Sequence, residues 1–318
     1  MEIMAIRVSR YIDAVMPLLN PNTIHFNKRC IAVEEIESGR LLLRFSDGTF
    51  HETDLVIGAD GIKSTIRTAV LPPNTRHLAF SGSYAYRALI PMDILMAEGI
   101  KADIKHRPYC WVGKNKHIIT LPIKNNTVLN IVALYNISGG DMIPELPQPW
   151  VESASEQEVI DRFSDWGRDS RAILKHMKQP TKWSIHTTYP PLKNYVKGKI
   201  VLIGDAAHAM VPHLGAGAGQ GFEDTYALCR LLAHPTVHKA NLEDALKIYN
   251  EIRPPRASMV LERSIRMGRI YENYGPGLYD IPEMVQKLTG MWEPVWNFDL
   301  ETQISRALQY FDKLKQKL

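Results

Sequence analysis

Two short apolar runs, each followed closely by an aspartate, constrain the fold of this chain more than any other feature. The first is Asp54-Leu-Val-Ile-Gly58, which leads into Ala59-Asp60-Gly61, and the second is Lys199-Ile-Val-Leu-Ile-Gly204, which leads into Asp205. Such runs are typical of strands buried inside a parallel sheet. Open α/β sheets bind ligands at the carboxyl ends of their strands. We therefore expect Asp60 and Asp205 to converge at one ligand-binding edge.

The first run is followed by a turn and by a helix predicted from Ser64 to Val70. Serine is a residue type that caps helices, and a helix start offers free N–H groups to an anion. Gly61 permits a tight turn or a close approach of the backbone to a ligand. Asp60 and Gly61 are therefore candidate cofactor-binding residues. The alternative is an ordinary strand–turn–helix in which Asp60 serves only the turn.

The second run is followed by a glycine-rich segment and then by a helix predicted from Gln220 to Leu232. The segment alternates two small residue types: Gly215, Ala216, Gly217, Ala218 and Gly219. Such a backbone can lie flat against a planar ring, and the helix start would point its positive end at that ring. Asp205 would accept hydrogen bonds from a polyol such as ribityl. These glycines lie too far beyond the strand for a dinucleotide fingerprint. The alternative is a flexible surface loop.

Between the two motifs the pattern changes to β-rich segments separated by Pro, Gly and Asn turns, which predicts an antiparallel sheet. These segments are Ser83–Ile90, Cys110–Val112, His117–Leu121, Val128–Ala133 and Trp183–Thr188. Beyond the second motif, Leu242–Tyr271 has helical periodicity and is predicted to break at Pro254-Pro255. An amphipathic helix is predicted from Leu300 to Leu318. The fold class is therefore α/β.

The composition is that of an ordinary globular protein of 318 residues, with room for two domains. Its 38 Lys and Arg residues stand against 34 Asp and Glu residues, and the charges are scattered, so nucleic acid is not an expected partner. The three cysteines have no metal-ligand spacing. No apolar run has the length of a signal peptide or a membrane span. We expect no metal, no membrane partner and a cytoplasmic location.

The two motifs resemble the Asp-Gly and Gly-Asp motifs of class A FAD-dependent aromatic monooxygenases. The string from Pro212 to Gln220, Pro-His-Leu-Gly-Ala-Gly-Ala-Gly-Gln, is especially similar to the salicylate hydroxylase branch of that family. Further matches are Tyr86-Arg87, Trp166–Arg171 and Tyr249–Arg256. The resemblance covers nearly the whole chain in a consistent order, and two motifs together are far more specific than either alone.

The resemblance implies an incomplete Rossmann-like FAD-binding domain, residues 1–78 and 190–270, with an antiparallel-sheet substrate domain, residues 79–189, and a C-terminal helical segment, residues 271–318. It implies that Gly204 and Asp205 bind the ribityl side of FAD and that Asp60 and Gly61 lie on its ribose side. The backbone from Gly215 to Gly219 would line the flavin ring. The family usually has an arginine just before the first helix that contacts the cofactor, and Arg10 or Arg7 would fill this role.

The implied reaction is the hydroxylation of a small aromatic, a salicylate-like acid or phenol, with NAD(P)H as the reductant and O2 as the oxygen source. Pro212, His213 and Arg87 are the candidate catalytic residues. His213 is either a general base beside the flavin or a packed histidine. Arg87 either clamps a substrate carboxylate or phenolate, or forms an ion pair within the sheet.

Other polar and aromatic residues near the motifs have simpler readings. His208 is expected to be packed and hydrogen-bonded rather than a general base. Glu223 and Asp224 are expected to match the dipole at the start of a helix. Three aromatic residues either line a pocket or belong to the core: Tyr84, Tyr86 and Trp111.

The family normally begins with a strand, a Gly-x-Gly-x-x-Gly turn and a helix, which hold the FAD pyrophosphate. Nothing of this sort precedes Arg7. We therefore expect the chain to lack the N-terminal dinucleotide-binding unit. Two other functions stay open at this point: a truncated, catalytically inactive paralogue or fragment, and a flavin-dependent oxidoreductase of other chemistry.

Overall fold

The computed structural model describes residues 8–145 and 147–315, and within them the strands form three sheets. Helix α1 spans Val8–Val15. An antiparallel three-stranded sheet follows, made of β1 (Cys30–Glu35), β2 (Leu41–Phe45) and β3 (Phe50–Thr53). The predicted Asp47-Gly48 turn joins β2 to β3, and Gly48 adopts a φ of 82° that favours glycine. The first predicted buried strand is β4 (Val56–Gly58), and α2 (Ile66–Val70) follows it.

The middle of the chain forms the predicted antiparallel sheet. Its six strands are β5 (Leu78–Pro91), β6 (Tyr109–Gly113), β7 (Lys116–Ile123), β8 (Val128–Asn136), β9 (Val151–Ser153) and β10 (Thr181–Thr188). They lie in the order β6-β7-β8-β5-β10-β9. One face packs against three short helices: α3 (Met92–Ala97), α4 (Glu156–Arg162) and α5 (Arg168–Leu174). Side chains alternate between the two faces of a sheet, so every second residue of these strands lies on the face without helices and points toward the rest of the molecule.

The second predicted buried strand lies beside the first. The third sheet contains β11 (Val196–Lys197) and β12 (Ile200–Leu202), and β12 runs parallel to β4. Helices α6 (Asp205–His208) and α7 (Gly217–Leu232) follow. The predicted start of α7 at Gln220 is wrong by one turn, because Gly217 and Gly219 are helical rather than part of a loop. Tertiary packing outweighs the low helix propensity of glycine here.

The long helix α8 (Leu242–Tyr271) is continuous, so the predicted break at Pro254-Pro255 is wrong. Residues on both sides of the prolines are fully buried, among them Tyr249 and Ala257, and this packing offsets the cost of proline inside a helix. Three helices complete the described chain: α9 (Ile281–Leu288), α10 (Glu293–Trp296) and α11 (Leu300–Lys315). Side chains from α7, α8 and α11 pack around β4 and β12 in one apolar core. No helix within the described residues is long and apolar enough to span a membrane.

Candidate active site

The carboxyl ends of β4 and β12 lie side by side, so the turns that carry Asp60 and Asp205 leave the sheet at one edge. The buried side chain of Arg67 joins the two turns. Its guanidinium donates to the carbonyl oxygens of Asp205 at 3.3 Å and of Ala206 at 2.9 Å, and also to that of Ile62. Burial lowers the pKa of Arg67 to about 10 against the opposing effect of both aspartates, so the guanidinium stays charged at neutral pH.

The carboxylate of Asp60 caps α2. One oxygen accepts from the backbone N–H groups of Thr65 at 2.7 Å and Ile66 at 3.1 Å, and the other accepts from the Ser64 hydroxyl. Gly61 makes the turn with a φ of 77°. Asp60 therefore does stabilise the turn and the helix start, as the alternative interpretation predicted. Binding of the cofactor by Asp60 and Gly61 stays a prediction.

Asp60→Ala is expected to lower the free energy of unfolding by about 1 kcal/mol, since a helix start loses its capping carboxylate. Urea unfolding followed by circular dichroism measures this change. The matched control is Asp205→Ala at the neighbouring strand end. Equal stability of the two variants would contradict the capping role.

Asp205 has a different environment from Asp60. It is exposed at the first residue of α6, and no hydrogen bond or ion pair joins its carboxylate to another described residue. The turn before it needs glycine, because Gly204 adopts a φ of 58° and packs against Gly221 of α7. A methyl group on Gly221 would lie 3.4 Å from the Gly204 Cα atom. The close approach brings the free Asp205 carboxylate and the start of α7 to the same region.

The start of α7 is open. Ala216 precedes the helix without a side-chain cap, so the first N–H groups are available to a ligand. A methyl group placed on Gly215, Gly217 or Gly219 would meet no described atom within 4 Å. Gly215 ends the 3-10 turn Pro212–Leu214 with a φ of 63°. An uncapped helix start bordered by open space fits a planar, hydrogen-bonding ring with a negative edge, which is the chemistry of a flavin.

A buried charge network holds this region together. Asp224 accepts from the Gly204 N–H at 2.8 Å, and its carboxylate also contacts His208 at 2.6 Å and Arg253 at 2.7 Å. Burial raises the pKa of Asp224, but these bonds outweigh burial and hold the pKa below its usual value. Glu223 pairs with Arg253 and with Arg256, each at 2.8 Å.

The network corrects one prediction and supports another. Glu223 and Asp224 lie in the second turn of α7, and they form ion pairs with α8 rather than matching the dipole of the helix start. The sequence did not show this, because the partners stand about thirty residues further along the chain. His208 is buried and bonded to Asp224, as expected for a packed histidine.

His213 lies next to Pro212 and contacts the six-stranded sheet. Its ring occupies the space that a side chain at Gly268 of α8 would need, since a Cβ atom there would lie 2.5 Å from two ring atoms. The centroid of the His213 ring is 5.1 Å from that of His117 in β7. Burial lowers the pKa of each histidine to about 3, so both rings are neutral at physiological pH.

Glu272 completes a cluster with His117 and His213. Its Oε1 atom is 3.3 Å from Nδ1 of His117, and both side chains are buried. Neither nitrogen of His117 forms a well-directed hydrogen bond with a described residue. Burial raises the pKa of Glu272 to about 7, against the lowering effect of His213. The fold therefore keeps His117 and Glu272 neutral over the pH range in which a free histidine and a free glutamate would both be charged.

Variants of this pair are expected to show opposite pH dependence of stability. Between about pH 4.5 and 6.5 the unfolded chain carries one proton on the histidine, and the folded chain carries one proton on Glu272. The wild-type pair therefore adds nothing to the change of the free energy of unfolding with pH. Glu272→Gln leaves a histidine that binds a proton only when unfolded, and stability falls as pH is lowered from about 6.5. His117→Gln leaves a glutamate that keeps its proton only when folded, and stability falls as pH is raised from about 4.5.

In each variant, the slope of the free energy of unfolding against pH differs from that of wild type by up to about 1.4 kcal/mol per pH unit. Urea unfolding at half-unit steps of pH measures the slopes. Slopes of the same sign in the two variants would contradict a neutral pair.

Arg87 lies on the same sheet face as His117, because Ala85 and His117 share one cross-strand row through β8 and Arg87 is two residues from Ala85. Its guanidinium lies 5.6 Å from the ring of Trp183 and forms no ion pair with a described carboxylate.

The three aromatic candidates lie on the opposite face of the sheet, which the short helices cover. They pack in or against the core on that face: Tyr84 and Tyr86 of β5 and Trp111 of β6.

Sequence reasoning missed three residues of this region: Arg67, His117 and Glu272. His117 sits inside an ordinary strand pattern, and Glu272 follows the end of a helix, so neither has a local signal. The side chain of Arg10 lies outside the described part of the structure, although its backbone belongs to α1. The described residues hold no group of three or more His, Cys, Asp or Glu side chains suited to a metal.

Comparison with known proteins places this geometry in a family. The FAD binding domain family matches residues 21–264. A salicylate hydroxylase of Pseudomonas putida is 38% identical over 93% of this chain and 70% of its own length. A 6-methylsalicylate 1-monooxygenase of Aspergillus terreus is 33% identical over 97% of this chain and 69% of its own length.

Solved structures agree. A salicylate hydroxylase substrate complex superimposes with a TM-score of 0.86 at 33% identity, covering 94% of this chain and 74% of that one. Klebsiella pneumoniae HpxO complexed with FAD and uric acid shares the fold, with a TM-score of 0.70 at 19% identity, covering 94% of this chain and 71% of that one.

Fold, site and relatives together define a flavin-binding protein. The chain belongs to the FAD-binding domain family and, within it, to the class A FAD-dependent aromatic monooxygenases. The predicted family, fold class and FAD cofactor are confirmed. The roles of the individual site residues stay predictions.

Proposed function

We propose that this protein hydroxylates a small aromatic carboxylic acid or phenol, with FAD as cofactor, NAD(P)H as reductant and O2 as the oxygen source. The observation that carries the proposal is the free Asp205 carboxylate beside an uncapped, glycine-bordered start of α7, with His213 and the substrate-domain sheet close by. The relatives named for salicylate and 6-methylsalicylate support an ortho-hydroxylated aromatic acid as the substrate class.

The residues of this chain would act on FAD through polar contacts. Asp205 would accept hydrogen bonds from the ribityl hydroxyls, and the open N–H groups at the start of α7 would face the pyrimidine edge of the ring. When bound, FAD supplies the hydride acceptance and oxygen activation that a hydroxylation requires. The positive end of α7 would stabilise the negative charge that this edge gains on reduction. Gly215, Gly217 and Gly219 would leave room for the ring.

The residues facing the substrate would orient it. Neutral His213 can accept a hydrogen bond from a phenolic hydroxyl, but its lowered pKa makes it a weak base, and His117 is fully buried behind it. Arg87 remains the predicted partner of the substrate carboxylate, since it lies on the same sheet face as His117 and has no carboxylate partner among the described residues. Pro212 would line the site, and because proline has no backbone N–H it would add no hydrogen-bond donor there.

The test uses the purified protein with FAD, NADH or NADPH, and salicylate under 18O2. The expected result is NAD(P)H oxidation that depends on the aromatic acid, with one 18O atom in the product. Oxidation of the aromatic without oxygen insertion would favour a flavin-dependent oxidoreductase of other chemistry. Protein that binds no FAD would favour a catalytically inactive chain.

A further inference from the structure

Helix α8 contacts the turn that carries Pro212 and His213 through two of its smallest residues. Ser264 and Gly268 stand four positions apart, so both lie on one face of the helix. That face is turned toward the 3-10 turn Pro212–Leu214, and both residues are buried there. Neither residue has a role in the function proposed above.

The hydroxyl of Ser264 holds the backbone of the turn at both ends. It donates to the carbonyl oxygen of Val211 at 2.6 Å and accepts from the N–H of Leu214 at 3.2 Å. All three residues are buried, so a variant without the hydroxyl would leave two buried backbone groups without this partner. The position of Pro212 and His213 between these two points is therefore set by α8.

The backbone of Gly268 supports the ring of His213. A Cβ atom on Gly268 would lie 2.5 Å from both Cδ2 and Nε2 of the ring, which is closer than a side chain can approach. The His213 ring also contacts the ring of His117, with 5.1 Å between centroids, and His117 is fully buried. His213 itself is only partly buried. A ring displaced from α8 therefore cannot move into the space of His117 and has to move toward its exposed side.

We propose that Ser264 and Gly268 are positioning residues that fix His213 for the hydroxyl group of the aromatic substrate; this inference rests on the function proposed above. Ser264 fixes the backbone of the turn, and Gly268 lets the imidazole lie directly against the helix. The exposed side of His213 is then left free for a hydroxyl that donates to the ring. A residue larger than Gly268 would push the ring into the space of the substrate. Close packing alone would instead predict a loss of stability without a selective loss of substrate affinity.

The main test measures the affinity for salicylate in two pairs of proteins. Gly268→Ala is compared with wild type, and the double variant Gly268→Ala/His213→Ala is compared with His213→Ala. The dissociation constant is read from the change in flavin absorption when salicylate binds. In the wild-type background the alanine is expected to weaken salicylate binding about tenfold, because the displaced ring occupies part of the substrate site, with FAD affinity unchanged.

In the His213→Ala background the same alanine should change salicylate binding less than about twofold, because the ring that it would displace is gone. An equal loss of affinity in both backgrounds would show that Gly268 does not act through His213. No loss in the wild-type background, or loss of FAD from Gly268→Ala, would equally overturn its positioning role.

Ser264→Ala is compared with Ser258→Ala as the matched control. Ser258 lies in the same helix, and no hydrogen bond joins its hydroxyl to another described residue. Ser264→Ala is expected to weaken both FAD and salicylate binding about 3- to 10-fold, because the turn leads directly into the glycine segment Gly215–Gly219. Ser258→Ala should match wild type. Wild-type affinities in Ser264→Ala would overturn the role of its hydroxyl.

A crystal structure of Gly268→Ala gives a readout that needs neither cofactor nor substrate. The His213 ring is expected to lie about 1 Å further from α8, the shift that restores a van der Waals distance, with the Val211 and Leu214 backbone in place. An unmoved ring would overturn the proposal. Salicylate that binds with the expected affinities but is not hydroxylated would contradict the proposed function and leave the positioning roles standing.

Discussion

Asp205→Ala is expected to weaken FAD binding about 10- to 100-fold, because a bond to a charged group contributes about 1.5–3 kcal/mol. The carboxylate is exposed at the start of α6 and has no partner among the described residues. Its removal should therefore change the free energy of unfolding by less than about 0.5 kcal/mol. Titration of the apoprotein with FAD, followed by flavin fluorescence, measures the affinity, and urea unfolding measures the stability.

Two companion variants sharpen this test. Asp205→Asn keeps a hydrogen-bond acceptor without the charge and should fall between wild type and Asp205→Ala in affinity. Asp60→Ala should be less stable than wild type, because it removes the carboxylate that caps α2. A protein that binds FAD normally without the Asp205 carboxylate would remove that residue from the cofactor site.

The contrast between the two aspartates shows how far the sequence leads. Adjacent parallel strands with their turns at one edge follow from the apolar runs alone, and the structure contains them. The sequence treats Asp60 and Asp205 alike, since each follows a buried strand. Only the structure shows that one caps a helix and the other is free, because the difference depends on where neighbouring N–H groups point.

Long-range partners explain most of what the sequence did not predict. The pair of His117 and Glu272 joins β7 to the residue after α8, and Arg67 donates to the carbonyl of Asp205, which lies 138 residues further along the chain. Such contacts leave no periodic pattern. The two prolines of α8 are a case in which a local signal gave the wrong prediction. They predicted a break in the helix, but burial of the helix on both sides of the prolines keeps it continuous.

Arg253→Met is expected to lower the free energy of unfolding by about 3–5 kcal/mol, the largest stability change that we expect from a single substitution here. Arg253 is completely buried, and its guanidinium contacts Asp224 at 2.7 Å and Glu223 at 2.8 Å. Methionine fills similar volume but leaves the Asp224 carboxylate buried without its cation. The control is Arg230→Met in α7, whose ion pair with Glu301 is exposed and contributes at most about 1 kcal/mol.

The same substitution should also weaken FAD binding, because Asp224 holds the Gly204 N–H and thereby the turn that carries Asp205. The double variant Arg253→Met/Asp224→Asn separates the two effects. Removing both charges takes away the uncompensated carboxylate, so the double variant should regain part of the lost stability, while the asparagine still accepts from Gly204. Urea unfolding of the wild type, of the single variants Arg253→Met and Asp224→Asn, and of the double variant gives the coupling energy. If Arg253→Met costs no more than Arg230→Met, or if the second substitution only adds to the loss, the buried carboxylate is not the source of the instability.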